Sequence, residues 1–260
     1  MTKGDAKIGI VAGAGPYAGL DLAQKILQQT RAKIDQDYLP TISISTPDDI
    51  ADRTRFLLGQ TTNNPAHAIF RNLSELANLG ATVVGVPCNT AHASAIQDVF
   101  MEKLKQSGSR LKLLDMIAET VDFLRETCPE VKIVGVLSTI GTWKAGFYPK
   151  LLGDAGYEVR ILEEPQQQRL HDEALFHPEY GIKVQAHPVS KAARKVLLEG
   201  VHGLEKQDVQ AVVLGCTEIP LGLPERKLGS TYLIDPGLIL ARALIREFCP
   251  EKLLPWSWKT

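Results

Sequence analysis

Two of the four cysteines in this 260-residue chain stand in matched surroundings. In Ala81-Thr-Val-Val-Gly-Val-Pro-Cys-Asn-Thr-Ala-His92 a β-branched run stops at Cys88 and a helix-like pattern begins. In Gln210-Ala-Val-Val-Leu-Gly-Cys-Thr-Glu-Ile-Pro220 the run ends in Gly215-Cys216-Thr217-Glu218. Each thiol is thereby expected at the carboxyl end of a buried strand, where open α/β sheets bind ligands and where the unpaired amides of a helix start favour an anion. Such a pair suits proton transfer at carbon, with Cys88 and Cys216 as acid and base. A helix dipole there would lower a thiol from its reference pKa of about 8.5 and bring a thiolate within reach of neutral pH. Free cysteine is equally a small buried hydrophobe. Cys128 and Cys249, each followed by proline at a helix-terminal position, fit that second role.

The elements that must position these thiols read as two repeats of strand, loop and helix. Lys7 to Ala12 predicts a first strand, Gly13-Ala-Gly-Pro-Tyr-Ala-Gly19 a glycine loop, and the pattern beyond it an amphipathic helix to about Ile34. The loop spacing, G-x-G-x-x-x-G with Pro16 inside, departs from the dinucleotide fingerprint. Permissive glycines there let backbone approach a small ligand. A strand over Thr41 to Thr46, a polar loop to Arg53-Thr54 and a helix from Pro65 to Leu79 lead to the Cys88 strand, followed by a helix over Ala91 to Lys105. His92 lies four residues after Cys88, one helical turn away. C-x3-H is too few ligands for zinc, so hydrogen bonding or packing is its expected role and no metal site is expected.

The pattern restarts after a helix over Met116 to Arg125. Gly135-Val-Leu-Ser-Thr-Ile-Gly-Thr142 echoes Gly9-Ile-Val-Ala-Gly-Ala-Gly15, and the interval from Gly9 to Cys88 nearly equals that from Gly135 to Cys216. A duplicated βαβ half accounts for this and sets two equivalent loops across a cleft. Ser138, Thr139 and Thr142 are then either hydroxyl donors to a ligand or caps of the following helix. A strand over Glu158 to Leu162 precedes a long polar stretch with Gln166-Gln-Gln168 and His177 to Lys183, expected as a mobile or functional loop. A helix over Ser190 to Lys206 delivers the chain to the Cys216 strand. Tyr232 to Asp235 and a helix over Pro236 to Phe248 finish it, and Trp256 and Trp258 are expected to serve packing or subunit contact. The expected domains are 1–115 with 221–260 and, between them, 116–220.

Composition removes several classes of function. The formal net charge is −1, with no basic stripe carrying interleaved aromatics, so nucleic-acid binding has little electrostatic support. The polar start lacks the apolar core of a signal peptide, no apolar run approaches the ~20 residues of a membrane helix, and four cysteines fall short of a disulfide scaffold. A cytoplasmic protein with available thiols is the expectation.

Cys88-Asn-Thr-Ala-His92 taken with Gly215-Cys216-Thr217-Glu218 resembles the aspartate/glutamate racemase superfamily over nearly the whole chain, and most of all its cofactor-independent aspartate racemases. The resemblance implies an α/β fold of two similar flavodoxin-like lobes with parallel sheets and an active site between them. It also implies a two-cysteine isomerase without pyridoxal phosphate or metal, an acidic amino acid as substrate, and a homodimer. Asp52-Arg53-Thr54 is similar to the segment whose arginine grips the distal carboxylate, a task that suits the guanidinium fork. Tyr180-Gly-Ile-Lys183 resembles the segment whose lysine helps bind that carboxylate, and Gly15 falls in the substrate-facing first loop. Asn89, Thr90 and Thr217 would stabilise charge on the α-carboxylate, and Glu218 would receive the ammonium. Many aspartate racemases have Gly-Pro-x-Ala-Thr in the first loop, where this chain has Gly19, and an asparagine at the second strand end, where it has Ser45 or Thr46. Glutamate racemases usually have Asp-Ser-Gly and Gly-Cys-Thr-His, which this chain lacks. Glutamate or broad-specificity racemisation, hydantoin racemisation, maleate isomerisation, decarboxylation, silent amino-acid binding and a thiol redox role are the alternatives.

Overall fold

A computed structural model describes residues 6–258. The chain forms two compact units, residues 6–119 with 237–256 and residues 120–236 with 257–258. In the first, β1 (Lys7–Val11), β2 (Thr41–Ile44), β3 (Ala81–Gly85) and β4 (Lys112–Leu114) form a wholly parallel sheet in the order β2-β1-β3-β4. Parallel neighbours need long crossovers. They are supplied here by α1 (Pro16–Gln29), by a short α2 (Arg53–Leu57) with α3 (Ala66–Asn78), and by α4 (Ser94–Gln106). β1 and β3 are almost wholly buried, as strands covered on both faces must be. α3 turns Ala66, Ile69, Leu73 and Leu76 inward at helical spacing, into a core with Val11, Val84 and Phe100.

Two helices connect or close the units in sequence. α5 (Met116–Thr127) carries the chain out of the first sheet, and after the second unit the chain returns in α11 (Pro236–Phe248). Leu240 and Leu244 of α11 lie against Gly85 of β3, where a side chain would meet them at 3.0–3.1 Å.

The second unit repeats the plan. β5 (Ile133–Ser138), β6 (Glu158–Ile161), β7 (Ala211–Gly215), β8 (Lys227–Leu228) and β9 (Thr231–Ile234) lie in the order β6-β5-β7-β9-β8, with only β8 antiparallel. β5 takes the place of β1, β7 that of β3 and β9 that of β4. Its helices are α6 (Ile140–Ala145), α7 (Phe147–Asp154), α8 (Glu164–Arg169), α9 (Lys191–Glu205) and α10 (Ile219–Gly222). Each sheet thus has the doubly wound order that reverses direction beside its first strand. The carboxyl ends of β1/β3 and of β5/β7 are the two switch points, the places where such sheets bind ligands.

Four expectations change. Residues 221–236 belong to the second unit, because β9 pairs with β7. The return therefore falls at 237 instead of 221. The first helix stops at Gln29 instead of Ile34 because Thr30 turns extended and bridges Leu253, with Arg31 N–H donating to Lys252 O at 2.7 Å. The helix expected from Ala91 begins at Ser94, after a separate 3-10 turn over Asn89–His92, since Ala93 is extended. The glutamine-rich stretch read as a loop is helical. α8 runs directly into a π-helical segment, Leu170–Leu175, and turns Gln167, Leu170, Ala174 and Leu175 inward beside α9. The two tryptophans pack as expected, Trp256 under Arg242 and Trp258 against Tyr232 and Phe123.

Gly19, where many aspartate racemases have threonine, sits where α1 crosses β1. A Cβ there would lie 2.2 Å from the Cβ of Ala12 and 2.7 Å from its Cα. An exposed helical Gly→Ala change gains about 1 kcal/mol, whereas overpacking a tight contact costs about 1–3 kcal/mol. Gly19→Ala is therefore expected to lower the urea midpoint of unfolding. A raised midpoint would contradict the close approach.

Candidate active site

The first switch point carries Cys88. Pro87 cannot donate to the ladder, and the chain leaves the sheet in a three-residue turn closed by Cys88 N–H donating to Val86 O at 2.8 Å. Cys88 is 7 % exposed, and Asn89 and Thr90 are buried beside it in the 3-10 turn, where Ala91 N–H donates to Cys88 O. His92 ends that turn, its ring buried. Its Nε2 lies 3.3 Å from Val86 O and its Nδ1 lies 3.6 Å from the Asp115 carboxylate. Burial pushes the His92 pKa down against the opposing pull of Asp115.

The β1–α1 loop holds Gly15, the buried residue that precedes α1 in extended conformation. Arg53, the first residue of α2, comes to this loop: its guanidinium donates to Ala14 O and, at 3.3 Å, to Ala51 O. Asp52 caps α2 by accepting from Arg55 N–H at 2.7 Å, which fixes the turn that presents Arg53. At the end of β2, where the family asparagine is missing, Thr46 Oγ1 accepts from the side-chain amide of Asn72 at 2.9 Å. Sequence reasoning missed Asn72. Its signal was a polar residue on the apolar face of α3.

The second switch point carries Cys216, 5 % exposed, directly after β7. Its Sγ donates to Glu218 Oε2 at 3.1 Å, and Thr217 Oγ1 donates to the same oxygen at 3.3 Å. Lys183 Nζ donates to Glu218 Oε1 at 2.5 Å and sits 5.3 Å above the Phe176 ring. Lys183 is placed by the end of the π-helical segment, whose open carbonyls at Ala174 and Leu175 accept from the Ile182 and Lys183 amides at 2.9 and 3.2 Å. Gly181 makes this possible, since a Cβ there would lie 2.5 Å from His177 N. Phe176 and the π-helical carbonyls were missed because the segment read as loop.

Burial pushes the Cys216 pKa well up, the Glu218 charge adds to this, and Lys183 opposes it. The expected dipole-lowered thiolate is corrected for this residue. The helix after Cys216, α10, has 4 residues, too short for a macrodipole to offset a carboxylate two residues from the sulfur. Cys216 rests as a thiol hydrogen-bonded to Glu218. Cys128, wholly buried, is pushed up to about 12 by burial and Glu130, in keeping with packing.

Of the hydroxyls at the end of β5, Thr139 caps the following helix, while Ser138 turns to a carbonyl. Thr139 Oγ1 accepts from Thr142 N–H at 3.2 Å as the cap of α6, and Ser138 Oγ donates to Thr139 O. The buried Gln167 side chain, read in the sequence only as part of a polar stretch, donates to Ser138 O at 2.7 Å. Lys183 and Glu218, assigned separate substrate charges, are brought together with each other. Cys216 and Thr217 join them, while Cys88, Asn89 and Thr90 cluster in the first unit with Gly15 and Arg53 at the neighbouring strand end. Among the described residues no group of three or more His, Cys, Asp and Glu is arranged to hold a metal, and no helix is long and apolar enough to cross a membrane.

Comparison with known proteins fits this geometry. Residues 11–244 match the family described as Asp/Glu/hydantoin racemase. The chain is 30% identical over 180 residues to a glutamate racemase of Carboxydothermus hydrogenoformans, covering 68% of this chain and 60% of that protein. It is 25% identical over 249 residues to a broad specificity amino-acid racemase of Bacillus subtilis, covering 93% of this chain and 97% of the other. Among solved structures it resembles an aspartate racemase of Picrophilus torridus, with a TM-score of 0.75 and 29% identity over 93% of this chain and 94% of that one.

The electrostatics predict an order of thiol reactivity. Glu218→Gln removes a charge that raises the Cys216 pKa and should make Cys216 alkylate faster by iodoacetamide at mildly alkaline pH. Lys183→Met removes the opposing cation and should slow it below wild type. Peptide-resolved alkylation across pH reads both, and the opposite order would refute the assigned influences.

Proposed function

We propose that this chain, which belongs to the Asp/Glu/hydantoin racemase family, interconverts the L- and D-forms of an acidic amino acid, aspartate first, using Cys88 and Cys216 as the two bases. The observation that carries the reading is the equivalent placement of the two thiols, each just past the carboxyl end of the strand at its sheet's switch point, β3 and β7. All four cysteines are free, as chemistry in a reducing compartment requires.

The resting state sets the first roles. Cys216, whose Sγ donates to Glu218, is assigned the acid in the first direction, and Cys88 the base. Cys88 removes the α-proton, the electron pair it leaves passes onto the α-carboxylate, and Cys216 delivers its proton to the opposite face. Configuration inverts, no electron is gained or lost, and the chain is left with Cys88 as thiol and Cys216 as thiolate, ready for the other enantiomer. The mechanism needs one thiol charged and the other neutral in each direction. Asn89, Thr90 and Thr217 are assigned to stabilise the charge that develops on the carboxylate. Lys183 and Glu218, paired at rest, each have a counterpart in the amino acid: an anion for the lysine and an ammonium for the carboxylate.

Arg53 favours a substrate with a second carboxylate, as does likeness to an aspartate racemase over most of both chains. A broader racemase is the second reading, favoured by the relative from Bacillus subtilis that the chain matches along 97% of its length. A homodimer remains part of the proposal on the strength of the family resemblance.

Proton NMR of L-aspartate in D2O with the purified chain is expected to show loss of the α-proton signal together with formation of D-aspartate. Cys88→Ser and Cys216→Ser should each slow this by at least ~10²-fold, the usual scale for losing a positioned acid or base. Full two-way turnover in either variant would refute the two-thiol mechanism. Arg53→Ala should impair aspartate turnover more than alanine turnover, and equal losses would refute its contact with the distal carboxylate.

A further inference from the structure

The carbonyl of Val86 accepts from two donors. Cys88 N–H reaches it at 2.8 Å in the turn around Pro87, and His92 Nε2 lies 3.3 Å from it. A carbonyl only accepts, so Nε2 carries a proton. The other nitrogen, Nδ1, faces Asp115 Oδ1 at 3.6 Å, and the ring is 1% exposed. Asp115 is itself held in place: Gln97 Nε2 donates to its Oδ2 at 2.7 Å, and Oδ1 accepts from Ile117 and Ala118 N–H at 2.9 and 3.1 Å at the start of α5.

Burying an imidazole is costly, and the Val86 carbonyl already has a partner in the Cys88 amide. Neither packing nor hydrogen-bond satisfaction at Val86 therefore accounts for His92. What the ring adds is a tie between the 3-10 turn that follows Cys88 and the carbonyl at which the strand ends. We propose that His92 is a positioning residue. Through Nε2–H it pins the Val86 carbonyl and so fixes the direction in which the Pro87 turn delivers the Cys88 thiol. The role rests on the reading of Cys88 as a reacting thiol.

Hydrogen exchange and turnover test it together. His92→Leu fills the space without a donor. It should speed amide exchange in a peptide spanning residues 86–92 about tenfold, a local opening, with the β1 peptide unchanged. It should lower kcat for α-proton exchange by about 10²-fold with KM nearly constant, the scale of a misplaced reacting group. His92→Gln, whose side-chain amide reaches the same carbonyl, should restore both. Wild-type behaviour of His92→Leu, equal behaviour of the Leu and Gln variants, or a loss confined to KM would overturn the proposal. If His92→Leu does not fold, His92→Gln against the shorter His92→Asn carries the test, and equality between them overturns it. Absence of α-proton exchange in the unmodified chain would defeat the racemase reading alone, since amide exchange still reports the clamp.

Discussion

A carboxylate buried two residues from a thiol has to be neutralised, and much of the second unit serves that need. Glu218 is 3% exposed and takes a thiol, a hydroxyl and an ammonium on its two oxygens. Leaving such a charge without a cation would cost several kcal/mol. The cation comes from 35 residues upstream, so the intervening chain must end at a fixed point. A π-helical segment with open carbonyls provides that point, and a glycine lets the backbone fold against it.

The fold was legible where local pattern and burial agree. The apolar runs at Ile8 to Val11, Val83 to Val86, Val134 to Leu137 and Ala211 to Leu214 are strands because parallel strands covered on both faces need such runs, and the restart at Gly135 correctly marked a second sheet. The two cysteines were legible from their place at the ends of those runs. Residues 164–175 were not, because three glutamines hide the inward face and a π-turn breaks the 3.6-residue period by which a helix is read. The tie between Lys183 and Glu218 was equally hidden: sequence supplies two opposite charges but not the backbone anchor that joins them. The loop substitution at Gly19 read as a lost hydroxyl, whereas in space it is a contact between helix and strand.

The two halves share addresses but differ in what stands at them. Beside the first strand of one is a glycine loop tied to a guanidinium; beside that of the other is a helix capped by Thr139. One thiol follows a proline turn tied to a histidine, and the other rests on a carboxylate. On the proposed mechanism this inequality matters, since a reaction that exchanges acid and base in its two directions begins from one proton arrangement.

The sheet margins carry a separate consequence. The outer strands β2, β4, β6 and β8 have 4, 3, 4 and 2 residues, and the last runs against its neighbour. Short margins offer few free backbone groups to a strand from another molecule. The sheet margins of this chain thus give a strand from another molecule little length to extend.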